Sequence, residues 1–252
     1  MRRWLGLVRS LIVYWRPGRQ RGLRALYAPF VVRGDLVFDI GAHVGDRTAA
    51  FAGLGARVVA LEPQPALLPW LRRFVGHRPG VTIVPAALGP KAGRAHLAVS
   101  DAHPTLSTLA DPWREAVVKE NPTFEAVRWN RSTEVEVTTM DALISEFGEP
   151  RFCKIDVEGF EADVLAGLSR PVQALSIEFV SGTLDVAEAC VTRLETLGRY
   201  EYNAVPGERR DLLWSEWRTA DEIRTWLGDG ADGISSGDLY ARRAHRGEES
   251  SG

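Results

Sequence analysis

The sequence predicts an α/β fold built on an open, mostly parallel sheet. Short apolar runs rich in valine and isoleucine alternate with longer stretches of helical periodicity, an order typical of strands joined by right-handed crossovers. Two of these runs carry an acid near their end, Asp39 and Glu62. Such sheets bind ligands at the carboxyl ends of their strands, so both acids are expected at a ligand site.

The first strand leads into a glycine-containing turn within residues 35–45, DLVFDIGAHVG. Its apolar residues predict a buried parallel strand, because such strands are covered on both faces and lack polar alternation. Gly41 permits a turn that a side chain would obstruct, and Gly45 lets the next helix begin close to the strand. Backbone N–H groups in such a turn are directed at the space above the strand, which favours a ligand there.

The spacing of this turn does not suit a dinucleotide. A pyrophosphate site requires G-x-G-x-x-G, and His43 occupies the position of its middle glycine. Glu62 ends the second strand, where a carboxylate accepts hydrogen bonds from both ribose hydroxyls, and Asp39 can receive a cationic group. A ribose, an amino-acid head and no phosphate describe S-adenosylmethionine, which we predict as the cofactor.

The composition is that of an ordinary globular protein. The chain has 252 residues, of which 45% are hydrophobic, and can form one large domain. A formal net charge of −2 argues against a nucleic-acid partner. The two cysteines, Cys153 and Cys190, are too few for a disulfide framework and match no zinc motif. We therefore expect a reducing, cytoplasmic location.

Residues 1–30 contain seven arginines and no acid, interleaved with apolar side chains. The apolar stretch is shorter than the roughly 20 residues of a membrane span, so we predict an amphipathic helix. We favour a helix that covers a flank of the core with its arginines in water. Contact of residues 1–20 with an anionic membrane surface, or with a charged acceptor, is the alternative.

Residues 31–245 are assigned to one domain with an insertion at about residues 91–139. Residues 95–99 and 134–138 alternate in polarity, as antiparallel strands with one wet face do. The long polar stretch between them is interpreted as a lid over the acceptor, because long loops in compact domains are commonly functional. An irregular surface insertion, anchored by large rings such as Trp113, is the alternative.

A second charged group surrounds the end of the strand near residue 155. Lys154 and Asp156 are two residues apart and so share one face of the strand. We predict that Asp156 contacts the acceptor or takes the proton of its hydroxyl, and that Lys154 holds a negative acceptor. Alternatively, Asp156 only holds polar groups of a ligand, and Glu158 and Glu161 favour the N-terminus of the next helix.

Glu178 ends the following apolar strand. It is predicted to orient the acceptor or to pair with Lys154. With Asp156 and Glu158 it also offers oxygen ligands for Mg²⁺. The three acids have no fixed short spacing, so we predict no metal, and we assign Asp156, Lys154, Glu158 and Glu178 to catalysis.

Four motifs in this order resemble the FkbM family of S-adenosylmethionine-dependent methyltransferases: DIGAHVG, VVALEPQP, KIDVEGFEADVLAG and IEFV. The resemblance covers about residues 34–180. It implies a Rossmann-like class I methyltransferase fold, an α/β fold with a seven-stranded, mostly parallel sheet, one antiparallel strand and a small inserted β/loop lid. The residues assigned to the cofactor are seven from the first two motifs and Ala86, which lies outside the motifs: Asp39, Gly41, Ala42, His43, Gly45, Glu62, Pro63 and Ala86.

In this family the turn at Ala86 borders the adenine, although the alanine alternatively only packs that turn. The resemblance implies transfer to a hydroxyl oxygen, on a sugar or secondary metabolite, so a small-molecule or glycan acceptor is expected. A helix and two strands in the tail would complete the sheet, with residues 237–242 as the final, antiparallel strand. Residues 246–252 are predicted to be disordered. Two rival functions stay open: a NAD- or nucleotide-sugar-binding enzyme, and a non-catalytic membrane- or partner-binding module.

Overall fold

The structure is a computed structural model that describes residues 14–16, 18–100, 106–121 and 127–244. The strands are β1 (Leu36–Ile40), β2 (Arg57–Leu61), β3 (Val81–Val84), β4 (Ala87–Leu88), β5 (Gly93–Val99), β6 (Arg131–Thr138), β7 (Phe152–Ile155), β8 (Ala174–Val180), β9 (Tyr200–Pro206) and β10 (Ser236–Arg243). The helices are α1 (Arg19–Tyr27), α2 (Asp46–Gly53), α3 (Leu68–Val75), α4 (Asp111–Glu120), α5 (Met140–Phe147), α6 (Glu161–Ala166), α7 (Leu184–Leu197) and α8 (Ala220–Gly228), with a 3-10 turn at Ala231–Gly233.

The main sheet has seven strands in the order β3-β2-β1-β7-β8-β10-β9. Strand β10 runs antiparallel to both of its neighbours, and the predicted fold class is thereby confirmed. The order places β1 between β2 and β7, so that Asp39 lies in register with Lys154. Because β10 runs the other way, its beginning lies beside the carboxyl end of β8, and Asp238 is in register with Glu178.

Apolar residues cover both faces of the sheet, as expected for parallel strands. Val37 and Phe38, adjacent in β1, belong to different core clusters because neighbouring side chains of a strand point to opposite faces. Phe38 packs with the side of α5, α6 and α7, and Val37 with the side of α1 and α2. Both clusters hold the central strands in place, which fixes the positions of the loops at their carboxyl ends.

Helix α1 covers one flank of the core, as the favoured interpretation of the basic segment states. Tyr27 is fully buried and its ring centroid lies 4.3 Å from that of Phe51. One detail is corrected: Arg19 is buried and not in water, because it pairs with Asp46 at 2.8 Å. Residues 1–13, to which most of the proposed membrane contact belongs, and the tail 246–252 lie outside the described residues.

The insertion contains a second sheet of three strands, in the order β4-β6-β5. Strands β5 and β6 pair antiparallel, as their alternation predicts, and the short β4 was not predicted. The polar stretch between β5 and β6 contains the ten-residue helix α4 and is therefore not entirely loop. Pro112 in the first turn of α4 suits a helix start but was not used to predict one. In the part of the chain that the structure describes, no helix is long and apolar enough to span a membrane.

Candidate active site

One cavity lies over the carboxyl ends of β1, β2, β7 and β8. It is lined by ten of the twelve residues that the sequence assigns to the site: Gly41, Ala42, His43, Glu62, Pro63, Ala86, Lys154, Asp156, Glu158 and Glu178. Residues of the predicted cofactor group come from the loops after β1, β2 and β3. Those of the predicted acceptor group come from β7, the turn after it, and β8. The fold therefore brings both groups into one space.

Asp39 and Gly45 do not line this cavity. The Asp39 side chain is fully buried beneath the loop that follows β1, and the Thr48 hydroxyl of α2 donates a hydrogen bond to it. Burial raises the pKa of Asp39 to about 6, although the nearby Lys154 ammonium acts to lower it. Asp39 therefore does not line the cavity itself, and its predicted contact with a cationic ligand group stays a prediction. At Gly45, a β-carbon would lie 2.8 Å from Leu71 of α3, so this glycine serves helix packing.

Glu62 is held in the cavity wall by the loop after β1. Its carboxylate is 5% exposed and accepts hydrogen bonds from the backbone N–H of His43 at 2.9 Å and of Gln64 at 2.7 Å. Burial raises the pKa of Glu62 to about 7, against these two hydrogen bonds, which lower it. Each carboxylate oxygen keeps a lone pair for further donors. Glu62 can therefore accept hydrogen bonds from a ligand diol.

His43 contributes a neutral imidazole to the same end of the cavity. Burial lowers its pKa to about 4, so the ring is uncharged at neutral pH. Its Nε2 atom is buried and has no hydrogen-bond partner among the described residues. The Tyr14 ring meets the imidazole edge-on, with centroids 5.4 Å apart. The unsatisfied nitrogen is available to a ligand that enters beside Tyr14.

Lys154 and Asp156 form an ion pair in the acceptor end, the part of the cavity at the end of β7. Burial acts to lower the pKa of Lys154, but the carboxylates of Asp156 and Asp238 outweigh it and keep the ammonium charged. Burial likewise opposes ionisation of Asp156, and the Lys154 charge overcomes it and lowers the pKa of Asp156. The two side chains thus lie on the same side of the chain at the end of β7, as predicted. The alternative pairing of Lys154 with Glu178 is corrected, since Asp156 on the same chain segment is the partner.

Glu158 and Glu178 complete this end of the cavity. Burial and the neighbouring carboxylates raise the pKa of both well above the usual range for glutamate. Glu161, and not Glu158, serves the turn before α6: its carboxylate accepts the N–H groups of Val157 at 3.0 Å and Gly159 at 3.3 Å. The helix-terminus role suggested for Glu158 is thereby corrected, because its side chain lines the cavity instead.

The insertion touches both ends of the cavity. The side-chain amide of Gln64 donates to the Ser107 hydroxyl at 2.8 Å, and the Thr108 hydroxyl donates to the carbonyl oxygen of Glu158 at 2.6 Å. Trp113 at the start of α4 is buried against Gly159. A movement of the insertion would therefore displace both the loop after β2, which contains Gln64, and the turn after β7, which contains Glu158.

Several cavity-lining residues escaped the sequence analysis, in particular Tyr14, Asp46, Arg47, Glu208, Gly237 and Asp238. Asp238 follows a glycine at the beginning of the last strand, at the edge where the parallel strands end. The antiparallel direction of that strand was predicted, so its register with Glu178 was the signal available for finding Asp238. Arg47 and Glu208 are brought in by tertiary packing, and no local pattern marks them.

Comparison with known proteins decides between the possible ligands of this cavity. The model of the methyltransferase FkbM domain matches residues 39–231. This chain belongs to the FkbM methyltransferase family. It is an S-adenosylmethionine-dependent methyltransferase, as predicted, and the dinucleotide and non-catalytic alternatives are set aside.

The methyltransferase is similar to the hexuronic acid methyltransferase AglP of Haloferax volcanii, with 26% identity over 193 residues, 74% of this chain and 73% of AglP. Among solved structures, precorrin-6Y C5,15-methyltransferase from Geobacter metallireducens matches with a TM-score of 0.45 and 15% identity, covering 90% of this chain and 87% of that one. Fibrillarin from Aeropyrum pernix with bound S-adenosyl-L-methionine matches with a TM-score of 0.46 and 10% identity, covering 84% and 68%.

The cofactor end of the methyltransferase cavity fits an adenosyl group. Glu62 presents hydrogen-bond acceptors at the tip of β2, where a ribose diol is expected. Ala86 and Ala87 line the cavity with small side chains, which leave room for a flat ring. His43 stands where a pyrophosphate site would need glycine, so the cavity lacks a backbone cradle for phosphate.

Proposed function

We propose that this methyltransferase methylates a hydroxyl oxygen of a sugar or of a sugar-bearing small molecule. The observation that carries the proposal is that one cavity brings together two groups of residues. Glu62 and His43 form the group that we assign to the cofactor, and Lys154, Asp156, Glu158 and Glu178 form the charged group that we assign to the acceptor. The similarity to AglP, a hexuronic acid methyltransferase, is consistent with a sugar acceptor.

S-adenosylmethionine, when bound, supplies a methyl group that its sulfonium already activates. The protein must then align the acceptor oxygen with that methyl group, which alone removes much of the barrier. Glu62 accepts the ribose hydroxyls, and the neutral His43 leaves the cationic cofactor without a repelling charge. These residues bind and orient the cofactor in our proposal.

Asp156 acts on the acceptor. Lys154 keeps this carboxylate ionised within a buried site, and Asp156 therefore accepts a hydrogen bond from the acceptor hydroxyl, and its proton as the new bond forms. A positioned base of this kind contributes roughly 10²- to 10⁴-fold to the rate. Glu158 and Glu178 accept hydrogen bonds from neighbouring hydroxyls, a match for a polyhydroxylated acceptor.

The proposal is tested by incubating the full chain with S-adenosylmethionine and a panel of neutral, amino and uronic acid sugars, free and glycan-linked. Mass spectrometry is expected to find a product with one added methylene group, located on oxygen by fragmentation. Asp156→Asn should lower kcat by roughly 10²- to 10⁴-fold while binding of S-adenosylhomocysteine persists. Products methylated only on nitrogen or carbon would contradict the proposal.

Glu201→Gln is the matched control for Asp156→Asn. Glu201 is a carboxylate that pairs with Arg242 at 2.9 Å, and it lies near the start of β9, at the sheet edge away from the cavity. Its replacement should leave kcat unchanged. A fall as large as that of Asp156→Asn would show that any lost carboxylate damages the enzyme.

A cytoplasmic location and a membrane contact of residues 1–20 are parts of the proposal that rest on the sequence. Cys153 and Cys190 are buried free thiols, which agrees with a reducing compartment. Fractionation of cells that express the full chain, with and without residues 1–13, tests both statements.

A further inference from the structure

Three acids converge at the acceptor end of the cavity. Asp156 follows β7, Glu158 lies in the next turn, and Glu178 belongs to β8. One carboxylate oxygen from each lies within 4.8 Å of the others. Opposite oxygens around a Ca²⁺ ion are about 4.6 to 5.2 Å apart, and around Mg²⁺ about 4.0 to 4.2 Å, from their usual bond lengths. A separation of at most 4.8 Å is therefore compatible with three oxygens that bind one such ion.

The hydrogen bonding of these acids differs from that of other buried acids in the protein. Glu62 and Glu161 each accept two backbone N–H groups. Glu158 is only 8% exposed and lines the cavity, yet no hydrogen bond or ion pair reaches its carboxylate from the described residues. Oε2 of Glu178 is also buried without a described partner. Buried carboxylates are costly unless they are paired or bind a cation, so two unpaired acids aimed at one space point to a positive ligand.

The protein's own positive charge at this point is already engaged. Lys154 donates to Oδ2 of Asp156, and Oδ1 of Asp156 remains free to bind another group. Arg47 also acts on Asp156 but is itself paired with Asp46, and the positive group that acts on Glu158 and Glu178 is the same lysine. A cation placed between these acids removes their mutual repulsion without breaking the ion pair.

We propose that Asp156, Glu158 and Glu178 bind one hard divalent cation of the Mg²⁺, Mn²⁺ or Ca²⁺ class at the acceptor end of the cavity. This replaces the prediction of no metal that the sequence spacing suggested. Three protein oxygens leave coordination positions for water, as is usual for these ions. This last step rests on the proposed O-methylation of a sugar. Neighbouring acceptor hydroxyls then bind the ion, which replaces their direct hydrogen bonds to Glu158 and Glu178, and Oδ2 of Asp156 remains the acceptor for the reacting hydroxyl.

The experiment is a titration of the chelator-treated full chain with Mn²⁺, in the presence of saturating S-adenosylhomocysteine. Electron paramagnetic resonance of free Mn²⁺ measures binding, and competition with Mg²⁺ and Ca²⁺ identifies the preferred ion. We expect one Mn²⁺ per chain. Glu158→Gln and Glu178→Gln should each weaken binding by roughly 10- to 100-fold, and Glu201→Gln should not change it.

Two further readouts separate loss of the ion from loss of the fold. Both variants should bind S-adenosylhomocysteine as the wild type does. Mn²⁺ should raise the Tm of the wild type, because it binds the folded state only, and should fail to raise the Tm of the variants at the same concentration. Without metal, Glu178→Gln should unfold no earlier than the wild type, since it removes an unpaired buried acid.

Absence of Mn²⁺ binding up to about 10 mM, above the range of weak calcium sites, would overturn the proposal. Equal Mn²⁺ affinity of the wild type and both variants would overturn it as well, since the ion would then lie elsewhere. Sugar methylation that persists in chelator-treated enzyme with no bound Mn²⁺ would leave the proposed function standing while the metal site fails. If these acids bind Mn²⁺ but no sugar is methylated, the metal site stands and the proposed function fails.

Discussion

Gly41 and Asp156 are in such close contact that a β-carbon on Gly41 would lie 1.9 Å from the carbonyl oxygen of Asp156. The N–H of Asp156 also donates to the carbonyl oxygen of Ile40 at 3.0 Å. The turn that borders the cofactor end and the turn that carries the acceptor acid are therefore fixed to each other through their backbones. A change in one turn is expected to displace the other.

Gly41→Ala tests this coupling. Gly41 has a φ of 82°, which disfavours alanine, and its β-carbon would collide with Asp156. Gly34→Ala is the matched control, because Gly34 has a φ of 91° and open space around it. Chemical unfolding should show a loss for Gly41→Ala of about 1 to 3 kcal/mol beyond that of the control, as overpacking does. Calorimetry should show weaker S-adenosylhomocysteine binding for Gly41→Ala alone; equal effects of both variants would refute the coupling.

The pKa of Glu62 predicts a pH dependence of nucleoside binding. Burial raises that pKa to about 7, so the carboxylate is mostly ionised above pH 7 and loses its charge below it. If the ionised form binds the ribose, affinity should fall by about tenfold between about pH 8 and pH 6, in proportion to the ionised fraction. The probe is 5′-methylthioadenosine, which has the ribose but no titratable amino-acid head.

Glu62→Gln is the control for this titration. Glutamine keeps the shape of the side chain but cannot ionise, so binding should be weaker at high pH and nearly independent of pH across this range. If the affinity of Glu62→Gln for 5′-methylthioadenosine changes with pH as steeply as that of the wild type, another group is responsible for the pH dependence.

Much of the main sheet was predictable because its strands are short, apolar and buried. β1 lies within the predicted run at residues 35–45 and is buried along its whole length. Helix α4 was missed because only two of its ten residues, Trp113 and Val117, are buried, which gives a weak periodic pattern. The contact of Trp113 with Gly159 joins distant parts of the chain, and local sequence does not encode it.

Gly159→Ala tests how the insertion is anchored. A β-carbon on Gly159 would lie 2.1 Å from Cγ of Trp113, so the variant should push α4 away from the turn after β7. Amide hydrogen exchange within α4 should become at least about tenfold faster, because local opening then needs less free energy. If the insertion is a lid over the acceptor, KM for the acceptor should rise more than kcat falls.

Gly230→Ala is the control for Gly159→Ala. Gly230 has a similar φ of 89° and no atom within 4 Å of the position of a β-carbon. Its replacement should leave exchange in α4 unchanged. Unchanged exchange in Gly159→Ala as well would show that Trp113 does not hold the helix in place.

Arg19→Met tests the ion pairs that connect α1 to the cavity. Arg19 pairs with Asp46 and with Glu208, both at 2.8 Å, and Arg47 pairs with Asp46 at 3.0 Å. Loss of a buried partner should lower the free energy of unfolding by about 2 to 3 kcal/mol, with the remaining Arg47 limiting the damage. Arg21→Met, at an exposed position of α1, should change it by less than about 0.5 kcal/mol. Equal effects would show that the arginines of α1 all lie effectively in water.

Site residues could be predicted where they lie at the end of one strand or in the turn that directly follows it. Glu62 and the pair of Lys154 with Asp156 are of this kind, since strand geometry fixes their directions. The hydrogen bond from Thr48 of α2 to Asp39 was not predictable, because it joins a strand to a helix whose relative placement local sequence does not show. Arg47 and Glu208 enter the cavity through packing between distant segments, which no spacing reveals.

A crystal structure of the full chain with S-adenosylhomocysteine tests the central claim most directly. We expect both ribose hydroxyls within hydrogen-bond distance of Glu62, the adenine beside Ala86, and the thioether sulfur directed towards Asp156. A ribose turned away from Glu62, or a cofactor bound outside this cavity, would contradict the account.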